Sequence, residues 1–306
     1  MPGWSRLITF IAVEDNAVHS GEPVDPNLDI GAAYAKSQQI KARILPPGVS
    51  PLDPSATPTS LERTVRVLLP PLDSKQIPSI RALGANFVQS GQDAAEAKKK
   101  RPVLPILFYK PLTALSGPER DIVIPQAATR NGDETDWEVE LGVIISKPCK
   151  DVSPSRALDY VLGYTLTNDV SCRKRMFAVP QWGLGKSFDG HLPIGPCLVS
   201  PSALGDPEDV PLQTRVNGRL VQDGNTRDHL WGVAETIAEL SAGTTLLPGD
   251  IISMGTPPGE GFKRNPQEWL KHGDECVVSG GRGLGSLRNW VRQEGREEVQ
   301  RVKAKL

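Results

Sequence analysis

The 306-residue chain has no excess of basic residues: 35 Lys and Arg stand against 36 Asp and Glu, a formal charge of −1. Phosphate binding needs a basic surplus or stripe, so nucleic acid is excluded as a first partner. There is also no long hydrophobic run. Leu7 to Val13, the longest early apolar stretch, is stopped at once by Glu14 and Asp15. It is too short to span a bilayer and lacks a small-residue cleavage site, which argues against a membrane partner and a secretory signal. Cysteine is scarce. Cys149, Cys172, Cys197 and Cys276 are scattered, with no CxxC pair and no zinc-type histidine spacing. They read as free thiols of a reducing compartment, which places the chain in the cytoplasm.

Glycine and proline are plentiful, 29 and 28 residues respectively, without collagen-like or low-complexity periodicity. With 38% hydrophobic and 23% charged residues the chain has ordinary globular composition and can bury a core, so the turn formers imply many short strands and few long helices. Residues 7 to 13 read as a strand, and the Pro/Ser/Thr-rich stretch from Lys41 to Thr64 as loop. A short strand from Val65 to Leu69 ends at Pro70-Pro71, closing a small N-terminal region at residue 75. Asp93 to Lys100 is charged and helix-prone. Trp137, Val139, Leu141, Val143 and Ile145 alternate with Asp136, Glu138, Glu140 and Gly142, the period-2 pattern of a strand with one apolar and one polar face. Thr214 to Gln222 reads as a hairpin closed by a type I′ turn at Asn217-Gly218. Val233 to Leu240 is the best helix, and Ile251 to Met254 a strand ending in Gly255-Thr256-Pro257.

The chemistry-bearing feature is Glu138-Val139-Glu140. Residues i and i+2 of a strand point the same way, so two carboxylates project side by side. Asp169, just after the apolar run Tyr160 to Leu166, is a third. Three carboxylates form a hard, all-oxygen site suited to Mg²⁺, Mn²⁺ or Ca²⁺ with positions left for substrate oxygens. On spacing alone, an acidic strand facing water is the simpler reading. Nucleotide signatures fail. In Gly183-Leu-Gly-Lys186-Ser187 the first P-loop glycine falls on Pro180, and Gly281-Arg-Gly283-Leu-Gly285 has no following helix.

In order, Glu138-x-Glu140, Gly163-Tyr164-x-x-x-Asn168-Asp169-Val170-Ser171-x-Arg173, Gly185-Lys186-Ser-Phe-Asp189-Gly-x-x-Pro193-Ile-Gly195-Pro196, Val216-Asn-Gly218 with Gln222, and Leu247-Pro-Gly249-Asp250 with Gly255-Thr256-Pro257 resemble the fumarylacetoacetate hydrolase family. The similarity runs from about residue 5 to residue 292. It implies an α+β fold, a mixed β-sheet roll of the family's C-terminal-domain type with a small N-terminal domain. The domains are then 1–75, a catalytic domain 76–292 that includes a lid segment 86–100, and a charged tail 293–306. It further implies a homodimer, a divalent ion such as Mg²⁺ on Glu138, Glu140 and Asp169, and a small-molecule 2-oxo or 1,3-dicarbonyl acid as substrate. The reaction expected from the resemblance is C–C hydrolysis, decarboxylation or tautomerisation through an enolate. Lys186 matches the lysine that stabilises the developing negative charge, and Arg173 with the Gly255-Thr256 turn matches groups that hold substrate oxygens.

Two departures stand out. Many relatives carry Asn-Tyr-x-x-His-x-x-Glu on the lid, where this chain reads Asn86-Phe87-Val-Gln-Ser90-Gly-Gln-Asp93-Ala-Ala-Glu96. Aligned without a gap, Ser90 and Asp93 replace the dyad; slid by three residues, Asp93 and Glu96 do. Its four histidines, His19, His191, His229 and His272, all lie elsewhere. Asp93 or Glu96 is then the candidate proton carrier if burial raises its pKa. Met176 stands where many relatives have Gln, implying a less polar or differently shaped substrate pocket. The lost dyad leaves open an alternative of another class, a catalytically reduced protein that binds metal and a carboxylate ligand without turnover.

Overall fold

A computed structural model describes residues 2–130, 132 and 134–296. Of the charged tail expected at 293–306, residues 297–306 lie outside the described part. In chain order the strands begin with β1 (Arg6–Ala12), β2 (Val18–Pro23), β3 (Lys41–Ile44), β4 (Glu62–Leu69), β5 (Ile80–Gly84) and β6 (Ile106–Lys110). Short pieces follow, β7 (Leu115–Ser116), β8 (Ile122–Ile124) and β9 (Thr135–Asp136), before the long β10 (Val139–Ile145) and β11 (Val161–Asn168). The remainder are β12 (Ser171–Cys172), β13 (Leu192–Val199), β14 (Pro211–Val216), β15 (Arg219–Asn225), β16 (Ile251–Ser253), β17 (Glu275–Gly280) and β18 (Gly285–Gln293).

One large sheet runs β2-β3-β4-β1-β13-β11-β10-β16-β5-β6, with β7 on the side of β13, and a second runs β15-β14-β17-β18-β8. Most neighbours are antiparallel, but β16–β5, β13–β7 and β18–β8 are parallel. The architecture is therefore α+β with mixed sheets, and the longest helix among the described residues, Val233–Ser241, has nine residues. β1 belongs to two neighbourhoods. Arg6 and Leu7 pair with β13, whereas Ile8 to Ala12 pair with β2 and β4.

β10 departs from the half-exposed strand expected of its alternation. All seven of its residues are buried, because it lies between β11 and β16 with packed cores on both faces. Val139, Leu141, Val143 and Ile145 enter the larger core, while Ile144 joins a second core with Leu162, Ile194 and Ile251. The face that carries Glu140 is therefore interior. The stretch Lys41 to Thr64, read as loop, contains β3 at its start and the beginning of β4 at its end. The hairpin β14–β15 turns at Asn217 and Gly218 with φ of 51° and 78°, the two positive values a type I′ turn requires. The glycine-rich Gly281 to Gly285 is the turn from β17 into β18.

Candidate active site

The antiparallel register sets Val139 of β10 opposite Asn168 of β11. Glu138, immediately before β10, and Asp169, immediately after β11, are therefore side by side. The Asp169 N–H donates to the Glu138 carbonyl at 2.9 Å, and the Glu138 N–H to Asn168 Oδ1 at 3.0 Å. Glu140 projects on the same side as Glu138. One carboxylate oxygen from each of Glu138, Glu140 and Asp169 lies within 4.8 Å of the others, and all three residues are buried. The structure thus brings together the three carboxylates singled out in the sequence. An all-oxygen, anionic donor set of this kind fits a hard divalent cation.

Cations surround them. Lys186, ending the helix Gly183–Lys186, donates to Glu138 Oε2 at 2.7 Å and Asp169 Oδ2 at 2.6 Å. Lys110, at the end of β6, donates to Asp169 Oδ1 at 2.5 Å. Arg173, opening the helix Arg173–Phe177, spans Asp136 Oδ2 at 2.8 Å and Glu138 Oε1 at 2.5 Å. Burial alone would raise the Asp169 carboxyl, but Lys110 and Lys186 outweigh it and hold it at about 2. Glu140 has no cation within salt-bridge distance among the described residues; it accepts from Ser253 Oγ at 2.6 Å and the Gly255 N–H at 2.8 Å. Burial, reinforced by the charges of Asp169 and Glu138, pushes the Glu140 carboxyl well above the ordinary range. Burial opposes protonation of Lys186, yet Asp169 and Glu138 carry its pKa upward.

A cavity of about 200 Å³ opens above this cluster, lined by Glu138, Glu140, Arg173 and Lys186 and walled by Phe108, Phe177, Trp182 and Phe262. The rings pair as Phe108–Trp182 and Phe177–Phe262, with centroids 5.8 and 5.5 Å apart. Met176 and Thr256 also line it. Gln222 fixes the Thr256 turn: its amide donates to Thr256 Oγ1 and the Pro257 carbonyl, and its Oε1 accepts from the Val139 N–H and Thr214 Oγ1. Of the groups expected to hold substrate, Arg173 and the Gly255 N–H are thus engaged by the carboxylates themselves.

The structure does not bring Asp93 or Glu96 into this cavity. Asp93 caps the exposed helix Ala94–Lys99 by accepting from the Glu96 N–H, and Glu96 pairs with Lys99 at 2.9 Å. They line a neighbouring groove that shares Ala85, Gln89 and Lys263 with the cavity. No histidine lines the cavity. His19 pairs with Asp15, His229 packs on Phe87, His272 accepts from the Gln293 N–H, and His191 is buried with Nε2 2.8 Å from the Val123 carbonyl. Sequence reasoning missed Lys110 and Asp136. Asp136 shares its strand parity with Glu138 and Glu140, a signal that could have found it.

A family profile described as fumarylacetoacetate (FAA) hydrolase C-terminal matches residues 79–292. A caffeoylpyruvate hydrolase of Neonothopanus nambi is 41% identical over 296 residues, covering 95% of this chain and 94% of that protein. The crystal structure of 2-hydroxyhepta-2,4-diene-1,7-dioate isomerase from Mycobacterium marinum superposes with a TM-score of 0.76 at 30% identity, over 95% of this chain and all of the other. A maleylpyruvate hydrolase from Sphingobium sp. SYK-6, in complex with manganese(II) and pyruvate, gives a TM-score of 0.61 at 29% identity over 78% and 77% of the two chains.

Burial lowers the His191 pKa to about 4, so the unfolded chain binds its proton more readily than the folded one. Stability from this residue is complete above its unfolded value of about 6.5 and declines as pH falls toward 4. His191→Gln should lose less of its urea midpoint between pH 7 and pH 5 than the wild type does. Equal losses would place the acid sensitivity elsewhere.

Proposed function

The chain belongs to the fumarylacetoacetate hydrolase family, and from that premise we propose that it is a metal-dependent enzyme that forms or protonates the enolate of a 2-oxo or 1,3-dicarbonyl acid. The observation that carries this reading is the buried cluster of Glu138, Glu140 and Asp169 under a cavity, with the Lys186 ammonium on two of its members. These three carboxylates would hold Mg²⁺ or Mn²⁺, which when bound supplies Lewis acidity toward a 2-oxo-carboxylate. Lys186 stabilises negative charge as it develops on the enolate oxygen, in a site too dry for water to screen it. Thr256 offers a hydroxyl at the cavity wall for a substrate oxygen, and Arg173 adds positive potential to the same wall while it fixes Glu138. Homodimeric assembly is part of the same family reading.

The aromatic walls narrow the substrate. Phe108, Phe177, Trp182 and Phe262 offer stacking faces to a planar distal group, and a relative that matches almost the full chain carries caffeoylpyruvate in its name. We take the substrate to be an acylpyruvate with an aryl-bearing acyl group and the reaction to be C–C hydrolysis. Incubation with Mg²⁺ and a panel of acylpyruvates, oxaloacetate and β-keto acids, followed by enol absorbance and product analysis, tests it. An aryl acylpyruvate should exceed acetylpyruvate in kcat/KM by roughly tenfold or more. Binding of the whole panel without turnover would favour the non-catalytic alternative.

Glu140→Ala removes a charged ligand that a hard ion does not easily replace, so Mg²⁺-dependent stabilisation in a thermal melt should vanish. An unchanged response would leave the cluster a buried polar network without an ion. For Lys186→Met, kcat should fall far more than KM rises, because charge that grows in the transition state is felt in kcat. A loss confined to KM would make Lys186 a substrate anchor.

A further inference from the structure

With no histidine in the cavity and Asp93 and Glu96 outside it, the titratable groups described so far, Glu138, Glu140 and Lys186, are all engaged within the carboxylate cluster or by its donors. The cavity nevertheless has a third carboxylate besides those of Glu138 and Glu140. Glu260 lines it, is 4% exposed, and is not a member of the three-carboxylate cluster. Its neighbours explain its inward position. Gly259 and Gly261 run so close to other backbone that an added Cβ would sit 2.2 Å from the Val221 carbonyl oxygen and 1.9 Å from that of Glu268. Glu260 therefore supplies the sole side chain of this tripeptide, and it points into the interior.

We propose that Glu260 is the proton-transferring residue of this site, in place of the dyad absent from the lid; the assignment rests on the enolate-chemistry reading above. Its carboxylate is held from two sides. Oε1 accepts from Lys263 Nζ at 2.8 Å, and Oε2 from the Gly259 N–H at 3.1 Å. Lys263 in turn donates to Gln89 Oε1 at 2.6 Å, tying the carboxylate to the segment expected to act as a lid. In hydrolysis of a 2,4-dioxo acid, Glu260 takes a proton from water as the water oxygen bonds to C4. The C3–C4 bond then breaks, its electron pair passes into the enolate of the 2-oxo acid, and the Glu260 proton is delivered to C3. One water is consumed, a carboxylic acid and a 2-oxo acid are released, and Glu260 ends as it began.

The surroundings hold the Glu260 carboxyl above the ordinary carboxylate range. Burial raises its pKa, the Lys263 ammonium opposes that rise, and the negative charge of Glu138 adds to it. The other charged groups lining the cavity, Glu140, Arg173 and Lys186, are committed to the cluster. The pair with Lys263 keeps Glu260 accessible as a base, and the apolar walls keep its proton from bulk water.

The test uses the Mg²⁺-loaded enzyme and three readouts. Glu260→Gln should keep the Mg²⁺-dependent thermal shift, showing that fold and cluster are intact, while kcat on an aryl acylpyruvate falls about 100-fold or more. The limb of kcat/KM that rises with pH should disappear in Glu260→Gln and move to higher pH in Lys263→Met, which removes the cation favouring the ionised form. Infrared difference spectra, wild type minus Glu260→Gln, should show a carboxyl band that titrates above the ordinary carboxylate range. Wild-type kcat with an unaltered limb in Glu260→Gln overturns the proposal, as does a band titrating in the ordinary carboxylate range. The infrared readout needs no substrate. A wild type that turns over nothing in the panel therefore sinks the enzymatic reading separately, and the band still decides whether Glu260 is poised to carry a proton.

Discussion

Four buried carboxylates, Asp136, Glu138, Glu140 and Asp169, share one small volume with three buried cations, Lys110, Arg173 and Lys186. An unpaired charge at that depth costs several kcal/mol. The fold is arranged to deliver a partner to nearly every one. β6 brings Lys110, two short helices bring Arg173 and Lys186, and the end of β16 brings the hydroxyl and N–H donors that serve Glu140. The carboxylates outnumber the cations by one, and the surplus falls on Glu140, the member whose carboxyl is pushed highest. Under the proposed reading, a divalent ion reverses the sign of that imbalance, and a monoanionic 2-oxo acid restores neutrality. Ion and substrate are then matched to the cluster jointly.

Much of this was legible before any fold was known. Glu138 and Glu140 are two apart on a strong β pattern, and Asp169 follows an apolar run, Tyr160 to Leu166, whose place beside β10 only the fold shows. The hairpin at Asn217-Gly218 and the helix from Val233 were equally plain, because turn chemistry and helical periodicity are local. What stayed hidden depends on distant partners. Lys110 meets Asp169 across 59 positions, and Asp136 meets Arg173 across 37. No window around Lys110 distinguishes it from a surface lysine. The interior nature of β10 was hidden for the same reason. Alternation shows that two faces differ, but whether the polar one meets water depends on what packs against it.

The start and end of the Lys41 to Thr64 stretch illustrate the limit from another side. Proline, serine and threonine mark the middle correctly as loop, yet β3 exists because Gly21 to Pro23 and Glu62 to Thr64 lie on either side of it. Its own four residues carry little strand signal. Tertiary pairing overrides composition there, as it commonly does for short strands.

The double allegiance of β1 bears on how the chain comes to be assembled during synthesis. The portion from Ile8 to Ala12 finds β2 and β4 within sixty-odd residues of itself, so a local four-strand unit can close before β13 is made. Arg6 and Leu7 must wait for Val199 and Leu198. Contacts so far apart in sequence form late and slow the completion of a sheet. Until β13 leaves the ribosome, the front of β1 is an open edge, and it is the ready-made early unit that presents that edge as a template onto which the later strands add.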